Sequence, residues 1–479
     1  MTLEHGPLFA AAGDEPPRAV VVAVQLPTID DGELASSMAE LERLASTLGV
    51  EPIARITQRR AKLAPGVVLG EGKLKELAKY TGGTGVVPAY ERPGKKSSPD
   101  DADGEEEDGD DEADAADAGD AEAGEASGAE SDPKKRATVV LVDHDLTPTQ
   151  QRNLEKATGA DVLDRTSVIL EIFHRHARTR EARLQVEIAR LRYLAPRLRE
   201  STDRGDRVRG GVGGKGAGES SLELDRRRIR DRIAELRDEL SQIEGGSRTR
   251  RARRSELPTV AIVGYTNAGK SSLMRALTSV DVYVADKLFA TLDTTVRRLA
   301  PATEPPILVS DTVGFIKKLP HDLVASFRST LDEAGDADLL LHVVDGSDAA
   351  LADHIAVTRE VLGDIRDDQP TWLLLNKIDR VDEAGRARLA ERFPGALHLS
   401  ARERSDVAAL RERLIAHFAG ALEEADLLVP WTAQRIVHQI HERTTVLAED
   451  HSEDGTRLRV RAPARILDEL RTALGGAPA

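Results

Sequence analysis

Cysteine is absent from all 479 residues, which excludes disulfides, thiolate nucleophiles, Cys-based zinc sites and iron–sulfur clusters, and fits a cytoplasmic protein. Long apolar runs are missing as well. Val139 to Val142 and Leu339 to Leu341 fall far short of the roughly 18 residues that would span a bilayer, so no integral membrane segment is expected. The start, Met1 to Pro17, carries Glu4, Asp14 and Glu15 where a secretory leader would have a basic region and an apolar core, so export is not expected. Positive charge is absent from residues 100 to 133, which hold 17 Asp or Glu and no Lys or Arg. That segment accounts for the net charge of -16, because the other 445 residues sum to +1.

What is present is globular in composition, 31% charged and 40% hydrophobic, and its length suggests about three domains at roughly 150 residues each. Two stretches are basic. Arg226 to Arg254 has eleven arginines against five acids, and Arg178 to Arg199 has seven against two.

From Arg18 the chain reads strand (Ala19 to Leu26), helix (Glu33 to Leu48), strand (Pro52 to Thr57), then helix after Gly72, an α/β alternation. It resumes with a buried-strand run, Thr138 to Val142, and a helix opened by Thr147 with Pro148 at its first position. The acidic segment therefore interrupts one domain. Its Asp, Glu, Ala and Gly cannot bury enough apolar surface to offset the entropy of ordering, so disorder is expected over Pro93 to Lys135.

Leu184, Ile188, Leu191, Ala195 and Leu198 recur at spacings of four and three, as do Ile229, Ile233, Leu236, Leu240 and Ile243. Two such stripes would bury each other as an antiparallel helical pair. Residues 205 to 218 between them hold seven glycines with Arg207, Arg209 and Lys215, which reads as a flexible, positively charged tip. From Pro258 to about Leu422 strand-like runs (Val260 to Val263, Ile307 to Ser310, Leu339 to Val344, Trp372 to Leu375, Ala396 to Leu399) alternate with helical ones, which predicts a doubly wound, mostly parallel sheet. A short tail, Leu427 to Leu474, reads as helix, strand, helix, with a turn at Asp454-Gly455.

Gly264-Tyr265-Thr266-Asn267-Ala268-Gly269-Lys270-Ser271 follows a buried strand and opens a helix, the context of a phosphate-binding loop. Its backbone N–H groups can approach phosphates, Lys270 supplies a point charge, and the Ser271 hydroxyl can ligate Mg2+. Asp311-Thr312-Val313-Gly314 ends the next apolar strand, with a carboxylate for the magnesium shell and a glycine where a γ-phosphate can be sensed. Asn376-Lys377-Ile378-Asp379 closes another strand, and Asp379 can accept from both guanine N1 and N2, which adenine cannot offer. Ser400-Ala401-Arg402 follows the last strand and can supply backbone donors to guanine O6. Four motifs in this order at successive strand ends specify a GTP/GDP site. A first switch falls in Phe289-Ala290-Thr291-Leu292-Asp293-Thr294-Thr295; Thr291, twenty residues after Ser271, is expected to join Ser271 on the metal, with Thr295 the alternative. Lys270, Asp311 and Gly314 are the catalytic candidates. Phe315 stands where Ras-like enzymes place the glutamine that orients water, so hydrolysis by the protein alone is expected to be slow.

With these motifs the chain resembles the HflX GTPases, ribosome-associated members of the translation-factor-related P-loop class. The resemblance rests on Thr149-Gln150-Gln151-Arg152-Asn153-Leu154-Glu155, Arg178-Thr179-Arg180-Glu181, the glycine-rich Gly210 to Gly218 followed by Glu219, Asp225-Arg226-Arg227-Arg228, and Leu288 to Asp293. The family's Asp-Pro-Thr in the first switch reads Asp293-Thr294-Thr295 here, its Glu-Thr reads Glu219-Ser220, and the acidic insert is outside the family pattern. The resemblance implies binding to the large ribosomal subunit and its rRNA, with the N-terminal domain and hairpin reaching toward the peptidyl transferase centre and GTP controlling occupancy. Splitting or rescue of stalled ribosomes and ribosome-stimulated hydrolysis follow from it.

The expected fold is α/β and multidomain: an N-terminal α/β domain over 18–164, a helical hairpin over 165–250, a Ras-like P-loop GTPase domain over 258–422 and a small C-terminal α+β domain over 427–474. A monomer is expected. The residues by themselves leave open a GTP-licensed RNA- or membrane-binding module with incidental hydrolysis, peripheral membrane association included, and a large-subunit assembly factor.

Overall fold

The structure, a computed structural model, describes residues 16–87, 136–198, 221–254, 257–278, 288–289, 295–303, 305–318, 334–363, 369–420 and 422–475. The expected disordered insert, the glycine-rich tip and the first-switch residues Ala290, Thr291, Leu292, Asp293 and Thr294 lie outside them. The chain divides into two compact units between Val168 and Ile169.

In the first unit β1 (Arg18–Gln25), β2 (Glu51–Arg59), β3 (Val139–Val142) and β4 (Asp161–Asp164) form a parallel sheet in the order β2-β1-β3-β4. Ala19 to Val24 are each 0% exposed, as expected of a strand covered on both faces by helices. The helix Asp31–Leu48 starts where the Asp30 carboxylate accepts from the Glu33 N–H and stops at Gly49 in the left-handed region. The helix Pro148–Thr158 opens with a capping box, Thr147 and Gln150 each satisfying the other's backbone N–H. At the ends of β3 and β4, buried Arg165 donates to Asp143 at 2.7 Å and pairs with Glu40, while the Ser37 hydroxyl donates to Asp143 at 2.6 Å.

In the second unit the helix Arg180–Leu194, capped by Thr179, packs against the 34-residue helix Ser221–Arg254. Leu184, Ile188 and Leu191 bury against Ile229 and Leu236. Arg180 donates to Glu239 at 2.5 Å and Arg232 to Glu187 at 3.2 Å, so one helix runs up as the other runs down.

The central sheet has the order β10-β9-β8-β5-β7-β6, built from β5 (Thr259–Val263), β6 (Thr295–Arg298), β7 (Leu308–Asp311), β8 (Leu339–Asp345), β9 (Thr371–Asn376) and β10 (Leu397–His398). Every pairing is parallel except β6 with β7. The strand β6 is four residues long and half solvated, and it gave no apolar signal in the sequence. The strand order reverses direction at β5, between β7 and β8, so the carboxyl ends of these strands open a crevice at a topological switch point.

The C-terminal sheet, β11 (Leu422–Pro430), β12 (Thr445–Ser452) and β13 (Gly455–Pro463), is antiparallel in the order β11-β13-β12. Helices Arg435–Arg443 and Ala464–Ala473 contribute Ile436, Ile440, Ile466, Leu467 and Leu470 to its core. The expected helix, strand, helix thus gains two strands, and the sheet begins at Leu422, ahead of the expected 427. In β11 the run Leu427-Leu428-Val429 hides the alternation, since Leu428 points out. The edge strand β12 is solvated over most of its length and has no apolar period to read. No helix among the described residues is long and apolar enough to cross a membrane.

Candidate functional site

At the end of β5 the chain turns through Gly264 to Gly269 into the helix Lys270–Thr278. Gly264 has φ 145°, and a Cβ there would sit 2.1 Å from the Val343 carbonyl oxygen of β8. Gly269 has φ 96°, and a Cβ there would sit 2.2 Å from the amide nitrogen of Asn376. Only glycine lets this loop lie so close to its neighbours.

Lys270 is 6% exposed, and its ammonium donates to the Gly264 carbonyl at 3.0 Å and the Tyr265 carbonyl at 2.8 Å. Burial lowers its pKa from the ordinary 10.5 to about 8, against the opposing pull of the Asp311 carboxylate. The Ser271 hydroxyl donates to Asp311 at 2.7 Å, bringing together the two oxygens expected around a metal. The Thr312 hydroxyl donates to the Ile262 carbonyl at 2.8 Å, so this side chain fastens the segment to β5 instead of facing the crevice.

Beyond Asp311 the chain closes onto the loop: Phe315 N–H donates to the Gly264 carbonyl at 3.2 Å, and Thr266 N–H to the Phe315 carbonyl at 2.8 Å. Val313 is buried, and a Cβ on Gly314 would lie 2.8 Å from Thr266 Cγ2 and 2.9 Å from Lys270 Nζ. The Phe315 side chain is buried with Ala261, Val263, Ala334, Ala337 and Leu340.

On the opposite side Asn376 ties three segments together. Its amide nitrogen donates to the Ala268 carbonyl at 2.8 Å, and its amide oxygen accepts from Ala401 N–H at 3.0 Å. Lys377, at φ 59°, bridges the Asn267 carbonyl at 2.7 Å and Asp345 at 2.8 Å. Ile378 is buried, while Asp379 is exposed, its carboxyl held below the usual range by a hydrogen bond from Ser400 and by the charges of Arg402 and Arg380. The amides expected to reach guanine O6 have acceptors inside the protein: Ser400 N–H donates to Asp406 at 2.8 Å, Ala401 N–H to Asn376, and Arg402 N–H to the Ser400 hydroxyl at 3.3 Å. A base there would share these donors.

Of the first-switch residues, Phe289 is 2% exposed with φ 55°, and its ring meets Phe173 edge-on. It is a packing residue in this structure. Thr295 opens β6 opposite Asp311. Sequence reasoning missed Asp345, Asp406 and His354, whose ring stacks on Tyr265 at 3.8 Å and 14°. None sits in a recognisable spacing, and only their positions at strand or helix ends could have marked them.

Three families match in order along the chain: GTP-binding GTPase N-terminal over 35–87 and 122–174, GTP-binding GTPase Middle Region over 176–254, and 50S ribosome-binding GTPase over 259–377. GTPase HflX of Gluconacetobacter diazotrophicus is 52% identical over 460 residues, which is 96% of this chain and 98% of that protein. The chain belongs to the HflX GTPase family. GTPase HflX of Escherichia coli is 37% identical over 432 residues, 89% of each chain. A GTP-binding protein from Sulfolobus solfataricus, solved in complex with GDP, aligns over 84% of this chain and 99% of its own at 20% identity and a TM-score of 0.41. As an HflX GTPase the chain binds GTP and hydrolyses it to GDP and phosphate.

Proposed function

We propose that this HflX-family protein is a cytoplasmic, monomeric switch that binds the large ribosomal subunit in its GTP form and splits or rescues stalled ribosomes. The observation that carries the reading is the helical pair. Its apolar stripes are consumed internally, which leaves Arg226, Arg227, Arg230 and Arg237 exposed on the long helix, beside Arg228 and Arg232, which are exposed and ion-paired to Asp225 and to Glu187 and Glu235. Such a surface meets RNA phosphates without reading bases, and the match to a family described as 50S ribosome-binding GTPase supports the large subunit as partner.

In this reading Gly264 to Ser271 cradle the phosphates, and Lys270 leaves its two loop carbonyls to neutralise charge on the β and γ groups. The adjacent Ser271 hydroxyl and Asp311 carboxylate form a hard oxygen pair that suits Mg2+. With Thr291 or Thr295 they would hold it, and bound magnesium would supply charge neutralisation at the phosphates. Gly314, packed on Lys270, passes the presence of a γ-phosphate to the segment after it. Asp379, an exposed carboxylate whose pKa Ser400 lowers further, selects guanine.

Cosedimentation with purified ribosomal subunits tests the proposal. A non-hydrolysable GTP analogue should retain the protein on large subunits and GDP should release it. Equal pelleting in all nucleotide states would discard the switch, and no pelleting in any state would discard the partner.

A further inference from the structure

The side chain of Thr266 has no part in the roles assigned above. Thr266 is 6% exposed, and its hydroxyl oxygen is a buried polar atom with no hydrogen-bond partner. Its methyl group and Cα face Gly314, and Gly314 in turn lies against the Lys270 ammonium. Its own N–H is taken by the Phe315 carbonyl. The other hydroxyls around this crevice are bonded: Ser271 to Asp311, Thr312 to Ile262, and Tyr265 accepting from Lys317 N–H at 2.7 Å. A buried hydroxyl without a partner lowers stability, so one kept beside a nucleotide crevice calls for a partner such as an ordered water or a bound ligand.

We propose that Thr266 Oγ1 is a hydrogen-bond donor to a γ-phosphoryl oxygen of GTP, which makes its side chain a group that separates triphosphate from diphosphate. The inference rests on the GTP-site reading given above. Three positions on the loop point to it. Thr266 lies on the part of the loop nearest Gly314, where the third phosphate is sensed. Lys270, the cation of the γ group, is the other side chain against Gly314. The β-phosphate falls to the backbone N–H groups at the helix start, which Thr266 precedes by four residues. The methyl, and not the hydroxyl, faces Gly314 in the present arrangement, so in this proposal Gly314 shifts to admit the γ-phosphate and a rotation about χ1 turns Oγ1 toward it. Valine would fill the same space without the donor, whereas serine would keep the donor and lose only the methyl.

The test compares GDP with a non-hydrolysable GTP analogue by titration against full-length protein carrying Thr266→Val, Thr266→Ser or Lys270→Ala. Thr266→Val should weaken the GTP analogue roughly tenfold to a hundredfold, the range for a hydrogen bond to a charged acceptor, while GDP affinity stays within about twofold and reports an intact fold. Thr266→Ser should keep the wild-type ratio of the two nucleotides. Parallel changes for both nucleotides in Thr266→Val, or none, with Lys270→Ala impaired, would overturn the role of Thr266 alone. Unchanged binding of both nucleotides in Lys270→Ala would overturn the site and the proposal with it.

Discussion

Phe289 meets Phe173 edge to face, ring centroids 4.5 Å apart at 83°, so a residue of the expected first switch is seated on the helix Arg165–His176 that leads into the helical pair. Both rings are nearly inaccessible, at 2% and 0% exposed, and Phe289 holds a positive φ of 55° to reach the contact. The contact ties Phe289 to the segment before the hairpin by packing alone. Phe289→Ala should lower stability by about 3–5 kcal/mol, the usual cost of emptying a buried phenylalanine site, measured as a fall in Tm. Leucine at 289 should recover more than half of that loss. An unchanged Tm in the alanine variant would show that the ring is not packed in solution.

Asn376 fixes the segment at Ala401 to the glycine loop at Ala268. Asn376→Ala removes one donor and one acceptor, leaving the buried Ala268 carbonyl and the Ala401 N–H without their partners, at about 1–3 kcal/mol each. Both GDP and GTP should bind at least tenfold more weakly, with little change in their ratio. A selective loss of GTP would contradict a purely structural bolt.

Much of this site is legible in the sequence because each motif ends an apolar strand, and strand runs and glycine turns are local signals. The loop at Gly264, the carboxylate at Asp311 and the pair Asn376 and Asp379 all fall at such ends. The stripes of the helical pair were equally plain, since each repeats its apolar residue once per turn. What could not be read were contacts made across the fold. Phe289 looks like any switch residue until Phe173 is found beside it, and nothing near Ala401 announces that Asn376 will take its N–H. The solvated strands β6 and β12 were hidden for a different reason, because pairing with a neighbour holds them and no apolar period does.

The Lys270 ammonium gives the protein a pH signature. Its pKa of about 8 in the folded chain lies below the ordinary 10.5, whereas phosphates beside it favour the cation, so nucleotide binding takes up a proton as pH rises through 8. Affinity should be about tenfold weaker at pH 9 than at pH 7. The stability trend has the opposite sign. An unfolded chain binds more protons at this lysine between about 8 and 10.5, so folding stability from this group rises over that window. Titration calorimetry in buffers of different ionisation enthalpy would detect the proton uptake, and affinity unchanged from pH 7 to 9 would show that no lysine of lowered pKa meets the phosphates.

Base selectivity should lie with Asp379. Its carboxylate is exposed, with its pKa lowered further by the Ser400 hydrogen bond, and as an ionised carboxylate at neutral pH it can accept two donors at once, which asparagine cannot. Asp379→Asn should bind GTP at least tenfold more weakly and admit xanthosine nucleotides, whose ring offers an oxygen where guanine has its amino group. Competition between GTP and xanthosine triphosphate measures the switch directly. Retained GTP preference in the variant would assign the base contact elsewhere.

Turnover should depend on the partner, for a reason visible at Phe315. Its side chain lies among Ala261, Val263 and Leu340 on one face of the sheet, and it has no polar atom with which to hold water. Its backbone is equally committed, since its N–H and carbonyl are bonded to Gly264 and Thr266. The residue following Gly314 therefore cannot orient a nucleophile unless this segment is rebuilt, and substituting glutamine alone would place an amide in an apolar cluster. Phe315→Gln should destabilise the protein without accelerating hydrolysis. The intact protein should turn over slowly by itself, and large ribosomal subunits should raise its kcat at least tenfold by supplying or ordering the missing group. Steady-state phosphate release with and without subunits decides the matter: fast turnover alone, or no response to subunits, would mean that the chain already carries a complete water-orienting site.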